Sequence, residues 1–282
     1  MLIRAGYDLM FEAYAPTPLI SMMSVRPERW NDLQTTHRLV SDRAMGMEDY
    51  RDVFGNICTR MTLPAGRSTI ACDFVIADPG TVDRQSPEAV QHPIAELPAD
   101  ILMYLVASRY CDTDILSNEA WWLFGHIPPG WQRVQAIVDF VHSHLTYGYA
   151  YARSTRTAWE AYQEKVGVCR DFAHLSVALC RCMNIPARYC SGYLGDIGID
   201  PVDVPMDFHA WFEVYLGGQW HSFDARHRVP RIGRILMACG RDAADTALTT
   251  AFGNVRLESF KVHTDEVTQV PFEQSPAVRL AA

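Results

Sequence analysis

The apolar positions of this chain change period near residue 98, and the two parts predict different secondary structure. Leu2 to Tyr14 carries β-branched and aromatic residues, and Ile20 to Val25 is a short apolar run. Val53 to Leu63 and Ser68 to Ala77 alternate loosely around Pro64-Ala65-Gly66. Short alternating runs bounded by turn residues predict strands, here a small sheet or sandwich. The polar stretch from Asp78-Pro79-Gly80 to Pro98, with Pro87 and Pro93, reads as a linker.

Beyond Pro98 the spacing is helical. Ile101 to Tyr110 is one candidate. Pro128-Pro129-Gly130 precedes Trp131 to His144, where Val134, Ile137, Val138 and Val141 recur on one helical face. Thr157 with Glu160 forms a capping-box pattern that opens a short helix to about Lys165. Gly167 breaks that helix. From Cys169, Phe172, Leu175, Leu179, Cys182 and Met183 again follow a helical period until Asn184 and Pro186 stop it. Cys169 thus falls in the first turn of a buried helix. Unpaired N–H groups and the helix dipole favour an anion there. A thiol so placed is expected to have a lowered pKa and to act as a nucleophile, with the same N–H groups available to an oxyanion.

The run His209 to Leu216 alternates strictly. His209, Trp211, Glu213 and Tyr215 share one face, and Ala210, Phe212, Val214 and Leu216 share the other. Gly217-Gly218 supplies a two-residue hairpin turn. Counting back from it, Leu216 faces Gln219, Tyr215 faces Trp220 and Trp211 faces Asp224. Asp224 is then a diagonal neighbour of His209, roughly 7–8 Å away at the backbone, within reach of an imidazole–carboxylate hydrogen bond. The cysteine helix is expected on that same His–Asp face, with His209 taking the thiol proton and Asp224 holding the imidazole tautomer. Asp207 and Glu213 are rival orienting carboxylates. His221 lies on the other face.

Composition narrows the class. Hydrophobic types make up 49% of 282 residues, enough for a sizeable core, and 25 basic against 33 acidic residues give a net charge of −8. That balance disfavours nucleic-acid and anionic-membrane partners. No signal-like start or membrane-length apolar run occurs, so a cytoplasmic protein is expected. The eight cysteines include no C-x-x-C pair, and Cys180 and Cys182 would diverge on a helix. Neither a disulfide framework nor a metal site is expected, nor a cofactor. Most of these thiols read as small buried hydrophobes. The arginine-rich run Arg226 to Arg234, with Arg228 and Arg231, reads as a solvated loop, or as a surface for an acidic substrate.

Three segments together resemble the transglutaminase-like superfamily, in its order of cysteine, histidine and aspartate. Gly167-Val168-Cys169-Arg170-Asp171-Phe172-Ala173-His174-Leu175 is similar to its cysteine motif, followed by Ile185-Pro186-Ala187-Arg188-Tyr189-Cys190-Ser191-Gly192-Tyr193. Phe208-His209-Ala210-Trp211-Phe212-Glu213-Val214 is similar to the histidine motif and Ser222-Phe223-Asp224-Ala225 to the aspartate motif. Asp52-Val53-Phe54-Gly55-Asn56 and Gly240-Arg241-Asp242-Ala243-Ala244-Asp245 resemble segments of the bacterial branch outside the core. Where family members often carry Asp-Pro-Thr, this chain has Asp224-Ala225-Arg226, which puts the following turn and the mouth of the site in question.

The resemblance implies an α+β fold: a papain-like core, in which a cysteine-bearing helix packs on an antiparallel sheet, preceded by an N-terminal β-rich domain. Residues 1–85 would form that domain and 86–282 the core, with the last strand region returning to the first domain. It further implies acyl transfer through a thioester on Cys169, with His209 and Asp224 completing a triad, on a peptide or protein amide substrate. Hydrolysis is the first expectation, transfer to an amine the second, and a catalytically idle binding module the third. Tyr147, Trp159 and Gln163 are candidates for a second oxyanion donor.

Overall fold

The structure, a computed structural model, describes residues 1–200 and 207–270. The first part is mostly strand, with one 3-10 turn at Pro27–Asp32: β1 (Leu2–Ala13), β2 (Thr17–Ser21), β3 (Val40–Ser41), β4 (Met47–Arg51), β5 (Ile57–Leu63) and β6 (Gly66–Ala77). The middle holds α1 (Thr113–Phe124), α2 (Trp131–His144), β7 (Thr146–Tyr147), α3 (Ala158–Glu164), β8 (Val166–Gly167) and α4 (Cys169–Cys182). Then come β9 (Ala187–Tyr193), β10 (His209–Leu216), β11 (Gln219–Phe223), β12 (Ile235–Gly240), β13 (Thr249–Ala251) and β14 (Val255–Val267).

The fold is α+β, with helices packed on antiparallel sheet. Two antiparallel sheets, ordered β14-β1-β6-β3 and β13-β2-β5-β4, share an apolar core that includes Ile3, Leu9, Phe11, Leu19, Leu63 and Ile70. β14 runs antiparallel beside β1 from Leu2↔Val267 to Ala13↔Val255, so the end of the described chain completes the sheet that its start opens. The third sheet, β11-β10-β9-β12, carries α4 across it. Its apolar face, Phe212, Val214 and Leu216, packs with Phe172, Leu175 and Leu179 of α4. The third sheet also contributes to the N-terminal core, through Tyr193, Ile235 and Met237 of its strands and Phe208 just before β10.

The outlying motifs are the joints between these parts. Asp52 closes its own turn by accepting from the Phe54 and Asn56 N–H groups, each at 2.9 Å. Asn56 then pairs with both backbone groups of Cys239 on β12, each at 2.9 Å, as another strand would. The buried His174 of α4 accepts the Ala243 N–H at 3.1 Å, which ties the 240–245 loop to the cysteine helix.

Two expectations about elements fail for identifiable reasons. Ile101 to Tyr110 is not a helix; only a short 3-10 turn, Leu102–Tyr104, forms there. The buried Arg181 guanidinium takes the Val106 carbonyl and the Ser108 hydroxyl, both at 3.1 Å, and Tyr104 packs edge-on against Trp220. The segment serves as a cover, and the helix starts later, at Thr113. The stretch read as a linker is also fixed. Asp83 accepts from the Arg231 N–H at 2.8 Å and from Arg234, while the Val90 carbonyl holds the Gly217 N–H at the hairpin. No helix among the described residues is long and apolar enough to cross a membrane.

Candidate active site

Cys169 is the first residue of α4, and the residues around it fix that helix start. The fully buried Asp171 carboxylate accepts the Val168 N–H at 2.9 Å and the Arg156 guanidinium at 3.0 Å. A Cβ at position 167 would sit 2.6 Å from the Asp171 Cβ, so only glycine lets this carboxylate fold back over the helix end. Arg156 is held in turn by the Tyr151 carbonyl and by Glu164. All eight cysteines are free thiols, seven are buried, and Cys169 alone keeps partial exposure. It packs against Ala173, Tyr189 and Ala210, and the Ala210 N–H donates toward its sulfur.

The hairpin has the register expected from Gly217-Gly218. Leu216 pairs with Gln219, Tyr215 with Trp220, and the pairing ends at Phe212↔Phe223. Past that point β10 is open on the β11 side, and the chain turns at Asp224. The diagonal pair meets: His209 Nε2 and Asp224 Oδ2 are 2.7 Å apart, and both residues are buried. Asp224 Oδ1 accepts the Arg226 and His227 N–H groups at 3.0 and 3.2 Å, which sets the turn. Asp224 Oδ2 is also 2.9 Å from His227 Nδ1 and 3.2 Å from Arg234, whose guanidinium bonds Asp83.

One part of the expected packing is reversed. The cysteine helix lies on the apolar Ala210–Leu216 face of β10, and His209 is on the other. Burial decides this: α4 is buried along nearly its whole length and needs the apolar face. Cys169 meets β10 at Ala210, the residue that follows His209 in sequence. Of the rival carboxylates, Glu213 is taken by Arg188 at 2.8 Å and Ser222 at 3.3 Å. Asp207 acts electrostatically on the thiol and does not orient the imidazole. His221 bonds the Leu216 carbonyl, away from the site.

Burial shapes the proton inventory. It pushes the Cys169 thiol up to about 11, with Asp207 and Asp224 adding to the effect and the Ala210 N–H and Arg226 opposing it. The lowered thiol pKa expected from the helix start is therefore not found, because desolvation outweighs the helix end. Burial also lowers His209 to about 4, against the pull of Asp224. Asp224 stays ionised, its burial overcome by His209, His227 and Arg234. The resting pair is a neutral thiol and a neutral imidazole.

Several neighbours were not legible as site residues. His227 is three positions after Asp224, and Arg234 belongs to the run read as a solvated loop. Arg231 and Arg234 are in fact enclosed, while Arg228 is exposed. Arg226 lies 4.0 Å over the Tyr147 ring, and Tyr147 pairs with Gly167 across β7 and β8. Of the three oxyanion candidates, Tyr147 lies on this side of the site. Trp159 stacks on Tyr162 and Gln163 is exposed on α3. His209, Asp224 and His227 bring donor atoms within 4.8 Å of one another, a spacing compatible with a metal ion. Arg234 on the same carboxylate already supplies the positive charge an ion would bring, so these residues fit a hydrogen-bonded network better.

Residues 125–225, which include Cys169, His209 and Asp224, match the profile of the transglutaminase-like superfamily. A crystal structure of a proposed cysteine protease from Cytophaga hutchinsonii is 30% identical, covering 98% of this chain and 94% of that one, with a TM-score of 0.81. The chain belongs to the transglutaminase-like superfamily. An uncharacterized Mycobacterium bovis protein is 27% identical over 74% of this chain and 73% of its own length. One from Mycobacterium leprae is 37% identical over 91 residues, only 32% of its length. The superfamily match and the mixed helix-on-sheet core describe the same part of the molecule.

Proposed function

We propose that this transglutaminase-like chain is a cysteine-dependent amide hydrolase. The observation that supports the reading is that Cys169, the one partly exposed thiol, meets β10 at Ala210, next in sequence to His209, whose imidazole is held by a buried carboxylate. His209 Nε2 is engaged by Asp224, so Nδ1 takes the thiol proton as Sγ attacks the amide carbonyl carbon. A neutral resting pair means that proton transfer accompanies attack. Asp224 then stabilises the imidazolium, which protonates the leaving amine as the C–N bond breaks. Water, deprotonated by His209, cleaves the thioester and restores the thiol. N–H groups at the start of α4 and at Ala210 are suited to the oxyanion.

The Cytophaga hutchinsonii relative supports hydrolysis of a peptide or protein. Transfer to an amine is the second reading, favoured by the desolvation of Cys169, which disfavours water at the thioester. Eight free thiols fit a reducing compartment and support a cytoplasmic location. The test is a proteome-derived peptide mixture incubated with the protein or its Cys169→Ala variant, with and without glycine methyl ester. New carboxyl termini made only by the wild type support the hydrolase, and glycine methyl ester adducts support transfer. Identical mixtures for wild type and Cys169→Ala would contradict both.

A further inference from the structure

Asp224 serves two imidazoles. Its Oδ2 lies 2.7 Å from His209 Nε2 and 2.9 Å from His227 Nδ1, and the two rings are 4.8 Å apart at their centroids, tilted by 45°. The tautomer of His227 follows from its other nitrogen. Nε2 contacts the Arg226 guanidinium, which has donors only, so Nε2 accepts and the ring proton sits on Nδ1. Nδ1–H therefore donates to the carboxylate. Arg226 is itself held over the Tyr147 ring, and Tyr147 pairs with Gly167, two residues before Cys169.

Asp224 has no strand partner to steady it, since β11 ends at Phe223. Arg234 also draws on Oδ2 at 3.2 Å while bound to Asp83. Oδ1 is fixed by the Arg226 and His227 N–H groups, which leaves Oδ2 shared among His209, His227 and Arg234, so the His227 bond helps to set where Oδ2 sits. We propose that His227 is a positioning residue of the site: its Nδ1–H, aligned by Arg226, holds the Asp224 carboxylate in the orientation that serves His209. The inference rests on the Cys169–His209–Asp224 reading proposed above. The Arg226–His227 pair thereby links the cysteine side of the site, through Tyr147 and Gly167, to its aspartate side. It also gives a role to Arg226, which stands where family members often carry the Thr of Asp-Pro-Thr.

The test uses the rate of Cys169 carboxamidomethylation by iodoacetamide at fixed neutral pH, read by mass spectrometry on the full chain. His227→Leu is expected to slow the reaction about tenfold, the scale of one hydrogen bond to a charged group. His227→Asn, whose amide N–H can occupy the Nδ1 position, is expected to restore most of the rate. Because His227 acts through His209, the double variant His209→Ala/His227→Leu should match His209→Ala alone. A purely structural role would predict no rescue by Asn and an extra loss in the double variant. If His227→Leu does not stay folded, the Asn and Gln variants carry the comparison, Asn reacting faster because Gln presents its amide farther out. A wild-type rate in His227→Leu, beside a slow His209→Ala, would overturn this inference alone. A wild-type rate in His209→Ala would overturn the triad and this inference with it.

Discussion

At the scale of single residues, the site is governed by what burial does to charge. Cys169 keeps its proton because desolvation dominates, and Asp207 adds to that cost. Asp207→Asn removes a nearby negative charge, so the thiol should titrate at lower pH. The midpoint of Cys169 alkylation against pH should shift downward; an unmoved or raised midpoint would count against this. Gly167→Ala should destabilise the protein by about 1–3 kcal/mol, since the new methyl meets Asp171 at 2.6 Å, and denaturant titration measures it. The His209–Asp224 pair was legible because a two-glycine turn fixes register and register fixes faces. Asp83 was not legible: it reaches Arg234 across 151 residues of sequence, and no local pattern encodes such a contact.

At the scale of elements, legibility followed local signals. The Trp131–His144 span and the Thr157–Glu160 capping box could be read because one apolar stripe and one pair of cap residues suffice for them. Thr157→Ala should cost about 1 kcal/mol in thermal or chemical unfolding, the usual loss for a removed N-cap. The cover from 101 to 110 was misread as a helix because its conformation is imposed by Arg181 on α4, a tertiary partner that periodicity cannot reveal. The face on which α4 packs was misassigned for a related reason. Chemistry suggested that cysteine and histidine share a face, whereas the apolar face of β10 was the one the helix needed. The strap from Asp83 to Val90 is an element in its own right. Asp83→Ala leaves Arg234 short of one of its two carboxylates in a nearly enclosed position, and should cost about 3 kcal/mol of stability. A loss below about 0.5 kcal/mol would show the strap to be incidental.

At the scale of the molecule, histidines held neutral by desolvation make the fold sensitive to acid. His209 and His37 are both lowered to about 4 by burial, whereas an unfolded chain protonates them near the ordinary value of 6.5. Between those values the unfolded state binds more protons, so stability is fully present above 6.5 and is lost as pH falls toward 4. Each histidine contributes a slope of up to about 1.4 kcal/mol per pH unit in that window. Equilibrium unfolding from pH 7 to 4 checks it, and a flat profile would contradict the burial assigned to both. The pairing of β14 with β1 joins segments far apart in the chain, and such pairing leaves no mark in a short window of sequence.

The proposed chemistry converges on one thiol and one base. The most direct measurement is the rate of iodoacetamide labelling at each of the eight cysteines, across pH, for wild type and His209→Ala. The expected result is that Cys169 reacts fastest at neutral pH, because His209 accepts its proton as alkylation proceeds, and loses that lead in His209→Ala. If Cys169 reacts no faster than the seven buried thiols, or if His209→Ala leaves its rate unchanged, the thiol and the imidazole do not act together and the hydrolase reading is wrong.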